Sequence, residues 1–597
     1  MPVQGVPDDD KPEQQEAKAK RGLEGEGQDT LATPANLPVA ELMETFTNVS
    51  LTTSPDARLI LACSRPPEGE TSAVIRLPHS VGGWDMVGVV QRTVDVDFAL
   101  VIPFSIPHPH RPPEILHGQA QCRIYYDPSS DDCLLVNESP GPIYLTDLGP
   151  SGGKTRLSPT QRRMVSPGLW RISVGDGGDI RRHLVDLLLV RRQFVVDIAE
   201  APRDTPTSAK RLASGDEEEP ATKRQRREAD VSEILLVPTV SGGAGLPNIS
   251  GLNAITSSPN AAVLTTAATP GRQVIRKHGA SVLDLLDGEI AIIKTTQPKN
   301  PEMKAAPLPV VSSRTSSASS PATYELGRFG SIADSRSSSV FVAQHSEIAE
   351  RIVAKIVRYE GKTANDLASC ARRWRTEKSF LEKLRHRNIV SLKAFDGRIF
   401  ALYIERLPPS LHRGMHSPFH PSDAAVILRD ALSALAYLET QQIVHNDIKP
   451  ANIAYSPQRG AVLLDFEMAR FVHDNGPVGG TPWYIPPEFA ENGMRGAPGD
   501  MWALGITMLY VLGKISLPEK AVAGWMIHQV ANKHGTAYRQ MMAWVDSVTL
   551  VRQRLNREDS TERVVDRMLE QNPGSRIRAS QASVTLISGG KDVAKGS

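Results

Sequence analysis

The chain has 597 residues, a formal net charge of +1, and 23% charged against 40% hydrophobic residues. That balance argues against a broad basic surface for nucleic acid, and only four cysteines in this length exclude a disulfide scaffold. No run approaches the roughly eighteen apolar residues a membrane span needs, and no apolar leader opens the chain, so a soluble, unsecreted, intracellular protein is expected.

Residues 1–36 are rich in Lys, Glu, Gln, Asp and Gly with few large apolar groups, and read as a disordered tail. From 37 to 200, short apolar or alternating runs at 57–63, 122–126, 133–136, 167–172 and 194–198 are cut by turn signals. Asp127-Pro128-Ser129-Ser130-Asp131-Asp132 is a turn between two of them. The series predicts a mostly-β, sandwich-like domain. Cys122 and Cys133 could face each other across that hairpin, but a reduced, buried pair is expected inside a cell. The strand order resembles the later half of forkhead-associated domains, which bind phosphothreonine, and this resemblance implies a protein partner. The Ser-Arg-x-His segment and Asn-Gly-Thr turn of that family are missing, so phosphopeptide binding is carried to no residue. Asn137 and Ser139 are the polar candidates, with ordinary loop roles expected.

From 201 to 320, serine, threonine, proline and alanine dominate, as in a disordered linker. Within it Lys210-Arg211 and Lys223-Arg224-Gln225-Arg226-Arg227 flank an acidic, small-residue spacer. The two clusters resemble a bipartite nuclear localisation signal, which implies the nuclear import machinery as a partner and a nuclear, or nuclear and cytoplasmic, location. The run Asp216-Glu217-Glu218-Glu219 between them again disfavours nucleic acid. Residues 274–294 are a more apolar interlude that could pack on the region after the linker, with no element assigned.

Residues 321–590 carry the chemistry. In Arg351-Ile352-Val353-Ala354-Lys355-Ile356-Val357 one lysine sits inside an apolar strand. Residues 374–390 read as a helix and the turn after it, with Glu377 preceding Phe380, Leu381 and Leu384 at helical spacing. Residues 401–407 read as a buried strand leaving into a connector. Then come His445-Asn446-Asp447-Ile448-Lys449-Pro450-Ala451-Asn452 and Asp465-Phe466-Glu467, bracketed by short apolar strands at 443–444 and 461–464. Phosphoryl transfer needs a divalent cation held by oxygen ligands and a carboxylate that orients the attacking hydroxyl. Asp447 suits the hydroxyl, Asn452 and Asp465 suit the metal, and Lys449 puts a point charge near the transferred phosphate.

The order H-x-D-x-K-x-x-N followed by D-F resembles the protein kinase family. The resemblance covers about the last 275 residues, and it implies a two-lobed α+β fold using ATP and Mg²⁺. It also implies that Lys355 pairs the nucleotide phosphates with Glu377 as its helical partner, Glu382 being the alternative. By the same resemblance Ser335, Ser338, Val340, Ala354, Glu405 and Leu407 line the nucleotide, with Ile404 as gatekeeper. Gly480-Thr481-Pro482 to Pro486-Pro487-Glu488 matches the end of an activation segment, Glu488 pairing with Arg576, and 500–505 matches the helix that anchors the catalytic loop.

Three positions depart from the family. The turn Ala333-Asp334-Ser335-Arg336-Ser337-Ser338 has no glycine, which predicts weaker nucleotide affinity, and Asp334 adds unfavourable charge unless it points away. Glu467 replaces the glycine after Asp-Phe and is expected to face solvent. Asn446 replaces the arginine that receives an activation-segment phosphate, and 468–480 holds no serine, threonine or tyrosine. A kinase independent of activation-segment phosphorylation follows. Lys449 and Thr481 resemble serine/threonine kinases, so protein serine or threonine is the expected substrate. A pseudokinase scaffold is the alternative, motivated by Glu467 and the missing glycines.

Overall fold

The computed structural model describes residues 57–63, 74–81, 84–107, 115–150, 152–175, 181–200, 275–295, 320–359, 364–474, 479–493 and 495–593, with part of a helix at 40–48. The expected tail at 1–36 and the two basic clusters lie outside these residues. Among the described residues no helix is long and apolar enough to cross a membrane.

Eleven strands build the first module: β1 (Ala57–Cys63), β2 (Val74–Val81), β3 (Trp84–Val90), β4 (Asp97–Pro107), β5 (Ile115–Tyr126), β6 (Cys133–Asn137), β7 (Ile143–Asp147), β8 (Lys154–Leu157), β9 (Arg162–Val165), β10 (Gly168–Gly175) and β11 (Arg181–Leu189). They form a seven-stranded sheet in the order β2-β3-β1-β11-β10-β7-β8 and a four-stranded sheet β4-β5-β6-β9. Alternation sends one face of each strand inward, so Leu59 and Leu61 meet Cys122, Ile124, Leu135 and Ile172 in one core, as in a sandwich. Cys122 and Cys133 do not face each other: Cys122 stands opposite Asn137, and Cys133 opposite Tyr126. Both thiols are free, and burial pushes each up to about 12.

The next run leaves the sandwich. β12 (Phe194–Glu200) pairs with β14 (Glu289–Thr295) and β13 (Ile275–Lys277), and β14 pairs with β15 (Tyr324–Asp334). β16 (Ser338–His345), β17 (Ile352–Val357), β18 (Leu392–Asp396) and β19 (Ala401–Glu405) complete an eight-stranded sheet, β13-β12-β14-β15-β16-β17-β19-β18. Two expected boundaries are thereby corrected. The run at 194–198 is not a sandwich strand, and the expected linker over 201–320 holds a folded section at 275–295. The reason is alternation: Glu289, Ala291 and Ile293 are buried on one face of β14, which finds partners on both edges.

Helix α1 (Ala364–Lys383) lies against β18 and β19. Its Leu367, Ala371 and Trp374 join Val96, Tyr125 and Leu134 of the sandwich module in one buried cluster.

Below the sheet, α2 (Pro421–Thr440) starts with Pro421 at its first position and a His420/Asp423 capping box. α3 (Ala497–Val511) is buried from Gly499 to Val511 and forms the axis of the lobe. α5 (Ser560–Met568) packs on it, α6 (Ala579–Val593) packs on α2 and α5, and α4 (Thr536–Arg552) adds Met541, Trp544, Val545 and Val548 to the same core. A Cβ on Gly505 would stand 2.7 Å from Leu569 Cδ2, so only glycine lets α5 approach this closely.

Candidate active site

The catalytic loop is held from beneath. The backbone N–H groups of His445 and Asn446 donate to Asp500 at 2.7 and 2.8 Å, and Asp500 is buried on α3. His445 Nε2 lies 2.9 Å from the Leu464 carbonyl, with its ring centroid 4.7 Å from that of Phe466. These contacts tie the loop to the Asp-Phe pair. Asn446 and Asp465 adopt left-handed φ values of 64° and 63°, which short polar side chains tolerate best among non-glycine residues. Asn446 Nδ2 donates to the Met468 carbonyl at 3.2 Å, so the residue that replaces arginine holds the start of the activation segment directly.

On this loop Asp447 is the centre of a network. Lys449 Nζ donates to Asp447 Oδ2 at 2.7 Å and to Thr481 Oγ1 at 3.0 Å, while the Thr481 hydroxyl donates to Asp447 Oδ1 at 2.9 Å. Asn452 Nδ2 donates to the main-chain oxygen and Oδ2 of Asp447 at 2.9 and 3.0 Å. The Asn452 main-chain oxygen accepts from the Leu464 N–H at 2.8 Å, and its side-chain Oδ1 is the oxygen that could serve a metal. Sequence reasoning used Thr481 as part of the activation-segment end and as a mark of substrate class, and missed its bond to Asp447; the Gly-Thr-Pro signal was the available clue.

Across the cleft, Lys355 Nζ donates to both Glu377 oxygens at 3.0 and 2.8 Å and to Asp465 Oδ1 at 2.9 Å. Glu382 instead pairs with Lys378 one turn away. Glu467 Oε1 also lies 3.0 Å from Lys355 Nζ, and Glu467 Oε2 lies 3.5 Å from Arg373. The expected solvent-facing Glu467 is therefore corrected: its side chain is 15% exposed, because two cations compensate its burial. Burial would raise the Asp465 carboxyl, but Lys355 beside it holds it down at about 2. Burial raises Glu377 against the pull of Lys355. The ammonium, which burial alone would lower, is held well above its ordinary value by Asp465, Glu377 and Glu467.

The oxygen donors suit a hard divalent cation. Carboxylate oxygens of Glu377, Asp465 and Glu467 lie within 4.8 Å of one another, and Asp465 is 33% exposed to the cleft. Asp465 and Asn452 each carry a side-chain oxygen that could hold such an ion.

The nucleotide-side residues divide. The hairpin turn falls between β15 and β16, with Ala333 opposite Val340 and Val340 opposite Lys355, so Val340 shares the cleft face. Asp334 pairs with Arg358, which partly neutralises its charge. Ser335 Oγ accepts from the N–H groups of Ser337 and Ser338, so the hydroxyl is used inside its own turn. Ala354 is corrected: neighbouring strand residues point to opposite faces, and Ala354 lies in the sheet's other core with Phe341 and Tyr403. Val353 shares the Lys355 face. Glu405 accepts from the Ser391 N–H at 2.9 Å and faces Arg459 at 3.3 Å, and its own N–H donates to the Ser391 carbonyl at 3.0 Å, so its side chain is taken up by structure. Leu407 packs on the lower lobe.

Two structural expectations close the site. Arg576, fully buried, donates to both Glu488 oxygens at 2.8 and 2.9 Å. In the sandwich module, Asn137 Nδ2 donates to Gly141 and Leu157 carbonyls, and Ser139 Oγ bonds Gln121, so both serve loop structure.

A protein kinase domain model matches residues 330–585. The serine/threonine-protein kinase PrkC of Bacillus subtilis is 30% identical over 198 residues, covering 31% of this chain and 30% of its own. PkaA of Streptomyces coelicolor, also a serine/threonine-protein kinase, is 29% identical over 243 residues, 38% of this chain and 41% of its own. This chain thus spans less than half the length of these curated relatives. A solved crystal structure of a kinase domain aligns at 20% identity over 43% of this chain and 93% of its own, with a TM-score of 0.34. Residues 330–585 thus match a protein kinase domain, and over that region the chain is similar to serine/threonine-protein kinases.

Proposed function

We propose that this protein transfers the γ-phosphate of Mg·ATP to serine or threonine hydroxyls of protein substrates. The observation that carries the reading is the pairing of two walls: Asp447 bonded by Lys449, Thr481 and Asn452 below, and Lys355 bonded by Glu377 and Asp465 above. Asp447 would accept the hydroxyl proton, and Lys449 would steady the charge on the transferred group. Mg²⁺ bound by Asn452 and Asp465 would neutralise charge on the phosphate oxygens. Lys355 would leave part of its carboxylate shell to hold the nucleotide. The basic clusters at 210–211 and 223–227 support entry into the nucleus, where substrates would be met.

The test is phosphate transfer by the purified chain to itself and to a generic serine/threonine substrate. Asp447→Asn should lower kcat by about a thousandfold while leaving the melting temperature in place. A second reading, a scaffold that keeps the fold without transfer, is favoured by Glu467 in the Lys355 shell and by the glycine-free turn. Folded wild-type protein that transfers no phosphate would select it.

A further inference from the structure

The face of α1 next to the one that carries Glu377 is covered by another part of the same chain. Val96 from the loop before β4, Tyr125 from β5 and Leu134 from β6 are buried with Leu367, Ala371 and Trp374 of α1. Asp97, at the start of β4, pairs with Arg375 of α1 and lies 3.4 Å from Arg123. The same loop reaches the sheet beside α1: the Gly397 N–H donates to the Thr93 carbonyl at 2.5 Å. A Cβ on Gly397 would meet Val96 Cγ1 and Trp374 Cη2, each at 3.1 Å. Loop, sheet and helix therefore touch at one point.

Trp374 precedes Glu377 by three residues, so the two lie about one helical turn apart. Trp374 Nε1 donates to the Ala401 carbonyl of β19 at 3.0 Å, and the ring sits against Phe395. A helix fixed at Trp374 has its Glu377 fixed as well. The module is also tethered closely: β11 ends at Leu189, and β12, already a strand of the other sheet, begins at Phe194. The activation segment from 468 to 480 contains no hydroxyl side chain that a phosphate could modify. The ordering of α1 then has to come from elsewhere.

We infer that the N-terminal sandwich positions the catalytic pair, its Val96, Tyr125, Leu134 and Asp97 clamping α1 so that Glu377 stays on Lys355 without a phosphorylated activation segment. This deepens the kinase reading and rests on it for its kinetic consequence. Asp97 and Arg375 are positioning residues: neither is among the residues assigned to nucleotide, metal or hydroxyl.

The test uses the full chain. Arg375→Asp faces Asp97 with like charge and should lower kcat by about fivefold with the KM for peptide unchanged, since neither residue belongs to the network around Asp447. Adding Asp97→Arg to it, with Arg123→Gln so that the new guanidinium meets no like charge, should restore kcat to within about twofold, as a charge-swapped pair. Val96→Asp, which puts a charge into the apolar seam, should lower kcat by about thirtyfold. Amide exchange across 364–383 is measured on the same proteins and does not depend on activity. Faster exchange there in Arg375→Asp and Val96→Asp, reversed in the swapped pair, is the expected result even if the wild type transfers no phosphate. Unchanged exchange in both variants would overturn the clamp, as would a swapped pair that recovers neither exchange nor kcat.

Discussion

The two walls of the cleft are built on opposite electrostatic plans. In the lower wall the two carboxylates meet complementary partners: Asp447 with Lys449, Thr481 and Asn452, and Asp500 with two backbone N–H groups. In the upper wall one ammonium, Lys355, is shared among Glu377, Asp465 and Glu467, with Arg373 compensating only Glu467 at 3.5 Å. The lower wall is organised by hydrogen-bond complementarity, and the upper by an excess of negative charge held in place by packing. A nucleotide would therefore meet a prepared catalytic loop below and a competing set of anions above.

Substitutions can sharpen or break this contrast. The largest effect is expected beneath the lower wall, at Arg576. Removing it leaves Glu488 buried and unpaired, so Arg576→Ala should cost about 3–5 kcal/mol of stability, read as a urea midpoint. A loss well under about 1 kcal/mol would mean that the lower lobe does not depend on this pair. Asp465, at the border of the walls, should give an intermediate effect that depends on pH. Its folded-state carboxyl is lowered, chiefly because Lys355 outweighs the effect of burial. Its contribution is thus present above the unfolded value near 4 and is lost as pH falls through the folded one. The stability cost of Asp465→Asn should accordingly shrink between pH 5 and pH 2, values set by roughly those limits. A cost that stays constant over that range would contradict the ion-pair assignment. The smallest effect is expected at Glu467. Glu467→Gln removes one carboxylate from the Lys355 shell and should tighten nucleotide binding by about 1 kcal/mol, measured by calorimetry. Weaker binding would instead make Glu467 a supporting ligand of the site.

Legibility in the sequence followed the same division. The lower wall could be read from its motif because its partners are close in the chain: Asp447, Lys449 and Asn452 lie within six residues, and the loop geometry brings them together. The Lys355–Glu377 pair was also readable, since a lysine in an apolar strand needs a partner and the next helix supplies one. Ala354 was misassigned because adjacent strand positions face opposite ways, and sequence similarity alone does not say which face looks into the cleft. Glu467 was misread because burial of a charge is decided by cations distant in sequence, here Lys355 and Arg373.

By itself the sequence determined the motif residues around Asp447 and the β-rich character of the N-terminal module, because these rest on short-range spacing and alternation, while the two-lobed architecture followed from the resemblance of those motifs to protein kinases. Only the tertiary structure decided that Phe194–Glu200 joins the kinase sheet, that Glu289–Thr295 is one of its strands, and that the sandwich packs on α1. Those outcomes depend on which strand edge or apolar face another element covers, a choice between surfaces far apart in the chain that local pattern does not encode.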